Sequence, residues 1–175
     1  PAQVGDTLAV PEDITRAELS ELVASATGGR ITAEAFLAAS ENASAYVADY
    51  AFLESAGENS LEGFLFPKTY AVTEDMDAEA VVRMMLDQFA AQIATVDMSY
   101  AASKNLTLYD VVTLASMVEK EYQAESDKAP IAAVFYNRLQ KGMTLGSDVT
   151  TYYAVGKDMT EELTASDLAS DSPYN

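Results

Sequence analysis

Apolar and polar positions alternate along this chain at helical spacing in most segments, with one break in the middle. Residues 7–10 pattern as a short strand leading into Pro11. Asp13 or Thr15 can then cap a helix to about residue 26, where Gly28-Gly29 stops it. Thr32 opens a second helix, with Glu34 close to the capping-box position. An Ala-rich amphipathic stretch follows to about residue 55, and residues 57–60 form a polar break. Residues 61–72, LEGFLFPKTYAV, lose the helical rhythm. They are rich in aromatics and hold a Gly and a Pro, which predicts irregular or partly strand-like backbone.

Helical spacing then resumes. Thr73 or Asp75 caps a long helix to about residue 94, with apolar positions at Val81, Met84, Met85, Phe89 and Ile93. A short helix is expected around Tyr100. Thr107 caps the next, which runs to about residue 122. Another spans about 128–141, closed by Gly142 just past its end. Residues 143–153 read as a loop or short strand passing into a short helix, and 160–170 as a last, polar helix. There is no internal repeat and no low-complexity linker. The expected fold is mostly helical α+β, a compact helical domain with a few short strands.

Two of these helices carry a charge where the pattern calls for an apolar residue. On the 107–122 helix, Leu108, Val111, Val112, Ala115 and Tyr122 share a stripe, and Glu119 falls inside it between Val112 and Ala115. A carboxylate on a core face is costly to bury, and desolvation raises its pKa, as a general acid working near neutral pH requires. A buried ion pair, or a helix that turns Glu119 outward at its end, explains the pattern equally. On the 128–141 helix, Arg138 lies between Ile131 and Val134, with Asn137 on the flank. Such an Arg either snorkels or pairs with a carboxylate, or it supports a site around Glu119.

Composition narrows the chemistry. The 175 residues contain no Cys and no His, which excludes a Ser-His-Asp triad, a Cys-His pair and a His- or Cys-ligated zinc centre. Carboxylates, Lys and Tyr remain for acid–base work. A net charge of −18 repels polyanions, so nucleic acid is excluded as a partner. Nearly half the residues are apolar, enough for a sizeable core. No stretch approaches the roughly 20 apolar residues that span a bilayer. With no initiator Met and a terminal turn signal, the chain reads as an excised piece of a longer protein.

Other candidates are ambiguous one by one. Glu62 precedes Gly63, where backbone can approach closely, as in a binding cleft; a cap or ion pair is the alternative. Asp148 with Thr150 could form an N-cap or belong to a site. Tyr70, Tyr152 and Tyr153 could stack on sugar faces or pack in the core or at its rim.

Taken in order, four segments resemble the YceG-like family of endolytic murein transglycosylases: LEGFLFPKTY at 61–70, TLYDVVTLASMVEKE at 107–121, IAAVFYNRLQKGMTLGSDVT at 131–150, and SPYN at 172–175. Lys68 stands where the family usually has Asp, and Val149 where it tends to have Pro. The resemblance is close over 61–175 and loose before that. It implies that residues 1–10 are the remnant of a LysM-like subdomain and 11–175 a catalytic domain truncated at its C-terminus.

The resemblance further implies that Glu119 is the catalytic acid/base and that Glu62, Asn137, Arg138, Asp148, Thr150 and Tyr70 lie in or around the substrate cleft. It implies endolytic cleavage between N-acetylmuramic acid and N-acetylglucosamine, leaving 1,6-anhydro ends and terminating nascent strands, with neither cofactor nor metal. It implies peptidoglycan strands as the substrate and peptidoglycan synthases as candidate partners. A membrane anchor preceding this segment would hold the site on the extracytoplasmic face. A hydrolase pairing Glu119 with Glu62 or Asp148, and a non-catalytic glycan-binding scaffold, are the rival readings.

Overall fold

The computed structural model describes residues 5–172 and divides into two compact units, Pro1–Val112 and Thr113–Asn175. Residues 1–4, part of the expected LysM-like remnant, and 173–175, most of the SPYN segment, lie outside the described residues.

In the first unit, strand β1 (Asp6–Ala9) pairs antiparallel with β2 (Thr69–Val72), from Asp6 opposite Val72 to Ala9 opposite Thr69. Leu8 and Val72 point from this ribbon into the core. Helix α1 (Arg16–Ala26) starts at Thr15, which forms a reciprocal capping box with Glu18. Helix α2 (Ala33–Ala39) starts at Thr32, whose side chain accepts from the Ala35 amide. Two 3₁₀ turns follow, Ala43–Tyr46 and Ala51–Ala56, then β2, helix α3 (Ala78–Ile93) and helix α4 (Ser99–Ser103). Phe36, Leu53, Leu61, Phe64, Met85 and Leu86 fill the core between them. Residues 6–9 pair with β2, and the division between the two compact units falls after residue 112.

The helix expected from Thr32 ends after about two turns, short of the amphipathic stretch to residue 55, for a local reason. The buried Ser40 hydroxyl donates to the Phe36 carbonyl at 2.8 Å, and the Ser40 carbonyl accepts from Leu61 N at 2.9 Å. The Asn42 side chain then caps the 3₁₀ turn through Ser44 N. Short polar side chains thus divert the backbone, as they do at turns. The start of α3 also differs from expectation. Asp77 caps it, accepting from Ala80 N at 2.9 Å, while Thr73 and Asp75 bond to each other in the preceding turn.

Helix α5 (Leu108–Glu121) contains the division between the units. The second unit continues with α6 (Lys128–Gln140), α7 (Val149–Val155) and α8 (Ala165–Leu168). Leu114, Met117, Val118 and Phe135 are its buried apolar residues, joined by Thr151. Gly142, at φ 64°, ends α6 as expected. The expected helix over 160–170 shrinks to α8. Asp158 accepts from both the amide and the hydroxyl of Thr160, which makes a turn there instead. Among the described residues no helix is long and apolar enough to cross a membrane.

Candidate active site

The helix that carries Glu119 is fixed firmly at its start. Thr107 and Asp110 cap one another there, with Asp110 Oδ2 accepting from the Thr107 amide at 2.8 Å and its hydroxyl at 2.7 Å. Tyr109 stacks on Phe64 with ring centroids 6.3 Å apart, and its amide donates to Ser55 Oγ. Gly63 has φ 83°, and a Cβ there would stand 2.6 Å from Val112 Cγ1. The close approach that this glycine permits is thus made by a side chain of α5 within the first unit, and the LEGF segment serves to seat the helix.

Past Val112 the buried face of α5 changes. Leu114, Met117 and Val118 are buried, whereas Ala115 is exposed and Leu108, Val111, Val112, Glu119 and Tyr122 are only half-buried. The stripe on which the sequence places Glu119 is therefore an incompletely covered apolar face, and Glu119 sits on the flank of the buried one with 30 % of its side chain exposed. Both carboxylate oxygens have partners. Tyr122 donates its hydroxyl to Oε1 at 3.2 Å, and Lys128 Nζ stands 3.5 Å from Oε2. Lys128, the first residue of α6, also contacts Glu125 at 3.0 Å and lies 4.2 Å from the centroid of the Tyr122 ring. The hydrogen bond to Glu125, then the charge of Glu119, hold the Lys128 ammonium above its ordinary pKa. The charge of Glu119 is the first cause raising the pKa of Tyr122, so its hydroxyl keeps its proton.

The segment between α6 and α7 is held from two sides. Arg138 Nη1 donates to the Leu145 carbonyl at 2.6 Å and to that of Thr144 at 3.4 Å. Ser147 donates to Glu121 Oε1, tying the entry of α7 to the end of α5. Gly146 has φ 64°, and a Cβ on it would fall 2.1 Å from Arg138 Nη1. Arg138 thus anchors a loop through carbonyl oxygens, not through a carboxylate. Asp148 occupies the N-cap position of α7 without a capping hydrogen bond and is exposed. Ser147 Oγ accepts from Val149 N, and the Thr150 hydroxyl donates to Ser147 O. Asn137 is exposed on α6.

Glu62 and Tyr70 belong to the first unit. The Glu62 carboxylate accepts the Arg16 amide with both oxygens, at 2.9 and 3.1 Å, where a helix N-terminus favours negative charge. Tyr70 is 6 % exposed and donates to the Phe66 carbonyl at 2.6 Å. Its ring belongs to the core, so a sugar has little of it to stack on. Tyr152 donates to the Glu161 carbonyl, while Tyr153 is 46 % exposed. Sequence reasoning overlooked Lys128, Gly146 and Ser147. For Gly146 a signal was present, a glycine inside MTLGSD, whereas Lys128 reaches Glu119 only after the chain bends between two helices.

The model of the YceG-like family matches residues 2–175. An endolytic murein transglycosylase of Streptococcus pneumoniae is 38 % identical over 189 residues, covering 97 % of this chain and 34 % of that protein. One of Bacillus subtilis is 38 % identical over 119 residues, covering 67 % of this chain and 32 % of that protein. The chain thus spans about a third of the length of these curated relatives. The crystal structure of a YceG-like protein from Listeria monocytogenes superposes with a TM-score of 0.83 at 28 % identity, covering 97 % of this chain and 58 % of that one.

Proposed function

We infer the function from one premise, that this chain belongs to the YceG-like family. It carries the acid/base centre of an endolytic lytic transglycosylase that cuts the bond between N-acetylmuramic acid and N-acetylglucosamine in peptidoglycan strands. The observation that carries this reading is Glu119 itself. It is a part-exposed carboxyl on an incompletely covered apolar helix face, with one oxygen on a phenol and the other beside an ammonium.

In the reaction, protonated Glu119 donates to the glycosidic oxygen and an oxocarbenium-like state forms. The muramyl acetamido oxygen can assist. The resulting carboxylate takes the proton of the muramyl C6 hydroxyl, whose oxygen closes the 1,6-anhydro ring. One carboxyl serves both steps because the attacking hydroxyl is tethered to the reacting sugar, which supplies proximity. Asn137, Arg138, Asp148 and Thr150 belong to the same reading as substrate-side residues. The unsatisfied cap position of Asp148 and the exposure of Asn137 leave those two side chains available. Arg138 acts by holding the loop that presents Asp148. Glu62 and Tyr70 stay in the proposal as residues that shape the first unit, not as sugar contacts.

The same reading takes residues 1–10 as the edge of a LysM-like subdomain. It gives the whole protein a membrane anchor, an extracytoplasmic site of action, a role in terminating nascent strands, and peptidoglycan synthases as partners. The names of the relatives, endolytic murein transglycosylases, support the wall substrate and an extracytoplasmic role. Mass spectrometry of sacculi digested by the full-length protein tests the chemistry. Anhydro-muramyl ends are expected, and reducing ends would assign a hydrolase instead.

A further inference from the structure

We propose that Lys128 and Tyr122 are positioning residues that divide the Glu119 carboxylate between them, Tyr122 holding Oε1 and Lys128 facing Oε2, and so orient the group for proton transfer. This rests on the reading of Glu119 as the acid/base. The argument starts from the placement of Lys128. It is the first residue of α6, where the helix dipole disfavours a cation. Its side chain turns back to the end of α5 instead, over the Tyr122 face, where a cation is attracted to the ring quadrupole. There it stands 3.5 Å from Oε2 of Glu119, while the Tyr122 hydroxyl bonds Oε1 at 3.2 Å.

The two contacts do different work. The phenol bond fixes the rotation of the carboxyl, and the looser 3.5 Å approach of Lys128 leaves Oε2 room to give its proton to the glycosidic oxygen. The ammonium favours the charge that appears on Glu119 once its proton has gone to the leaving group, an interaction stronger after transfer than before it. The charged and titratable groups shown around Glu119 are Tyr122 from α5, Glu125 from the turn that follows, and Lys128 from α6. Glu125 competes for Lys128 at 3.0 Å, but its side chain is 81 % exposed against 30 % for Glu119. The contact with Glu119 is therefore less screened by water.

The test uses the full-length protein, with turnover and product ends measured for Lys128→Met, Lys128→Arg, Tyr122→Phe and Glu119→Gln. Lys128→Met should lower kcat about tenfold to a hundredfold, part of the roughly 10²–10⁴-fold that a positioned acid–base group contributes. KM should change little, because Lys128 is argued to act through Glu119. Lys128→Arg should recover most of the rate. Tyr122→Phe should lower kcat with KM near the wild-type value. If Lys128→Met and Tyr122→Phe keep the wild-type kcat while Glu119→Gln is inactive, the positioning role is wrong and the function stands. If folded Glu119→Gln turns over normally, both fall.

Discussion

Glu119 stands 30 % exposed on α5, with Tyr122 on one carboxylate oxygen and Lys128 near the other. The sequence marks it as a candidate because a carboxylate interrupts an apolar stripe and the MVEKE segment surrounds it. The kind of surface it occupies was not legible, since a helical wheel shows periodicity but not which face a neighbour covers. The buried face of α5 turns to Leu114, Met117 and Val118, and the stripe stays half open. Gly146 was passed over because a glycine's conformational need appears only with its φ. Here the left-handed backbone and the Arg138 guanidinium both forbid a side chain. Gly146→Ala should destabilise the protein by about 1–3 kcal/mol, the usual cost of a non-glycine residue in that region. It should also break the Arg138 bond to Leu145 O, and urea unfolding measures the first effect. At Tyr70, burial pushes the hydroxyl up to about 12. Absorbance titration of the ten tyrosines should therefore show late-ionising groups that include Tyr50 and Tyr70, and Tyr70→Phe should remove one equivalent from that late phase. Loss of that equivalent from the ordinary phase near about pH 10 instead would place the ring at the surface.

At the scale of elements, capping residues were the reliable guide. Thr15, Thr32 and Thr107 mark three helix starts in the sequence, and each side chain bonds the backbone at its helix start. The ends and interruptions were less legible. Ser40 ends α2 by bonding back to Phe36 and by offering its carbonyl to Leu61, a partner 21 positions further along that no local pattern reveals. Asp77 caps α3 although Thr73 and Asp75 lie earlier with equally suitable side chains, because those two are engaged with each other. Asp77→Ala should therefore cost about 1 kcal/mol of stability, the usual worth of an N-cap, and Asp75→Ala distinctly less. The difference in urea midpoint between the two variants decides it. Equal losses would mean that the helix starts where the sequence first suggested.

For the molecule as a whole, the mostly helical α+β class was readable from periodicity, whereas the division after Val112 was not. It falls inside a continuous, well-formed helix, so the sequence carries neither linker nor change of composition there. The units should also respond to different pH limits. In the second, the Lys157 ammonium and the Thr164 amide and hydroxyl hold the Asp167 carboxyl down at about 2. A depressed carboxyl contributes stability above its unfolded value, about 3.9, and loses it as pH falls through the folded one. Acid should therefore loosen α8 between about pH 4 and 2, followed by amide exchange at Thr164, and Lys157→Met should bring that loosening on earlier. In the first unit, burial and then Asp87 push the Tyr50 hydroxyl up to about 12. A raised tyrosine contributes stability below about pH 10 and loses it as pH rises through 12, so alkali should act on that unit. The central claim, that this fold serves one acid/base carboxyl, is tested most directly by replacing Glu119 with Gln in the full-length protein and assaying cleavage of intact glycan strands. The account predicts a folded protein with wild-type circular dichroism and no new anhydro ends, and wild-type turnover from that folded variant would contradict it.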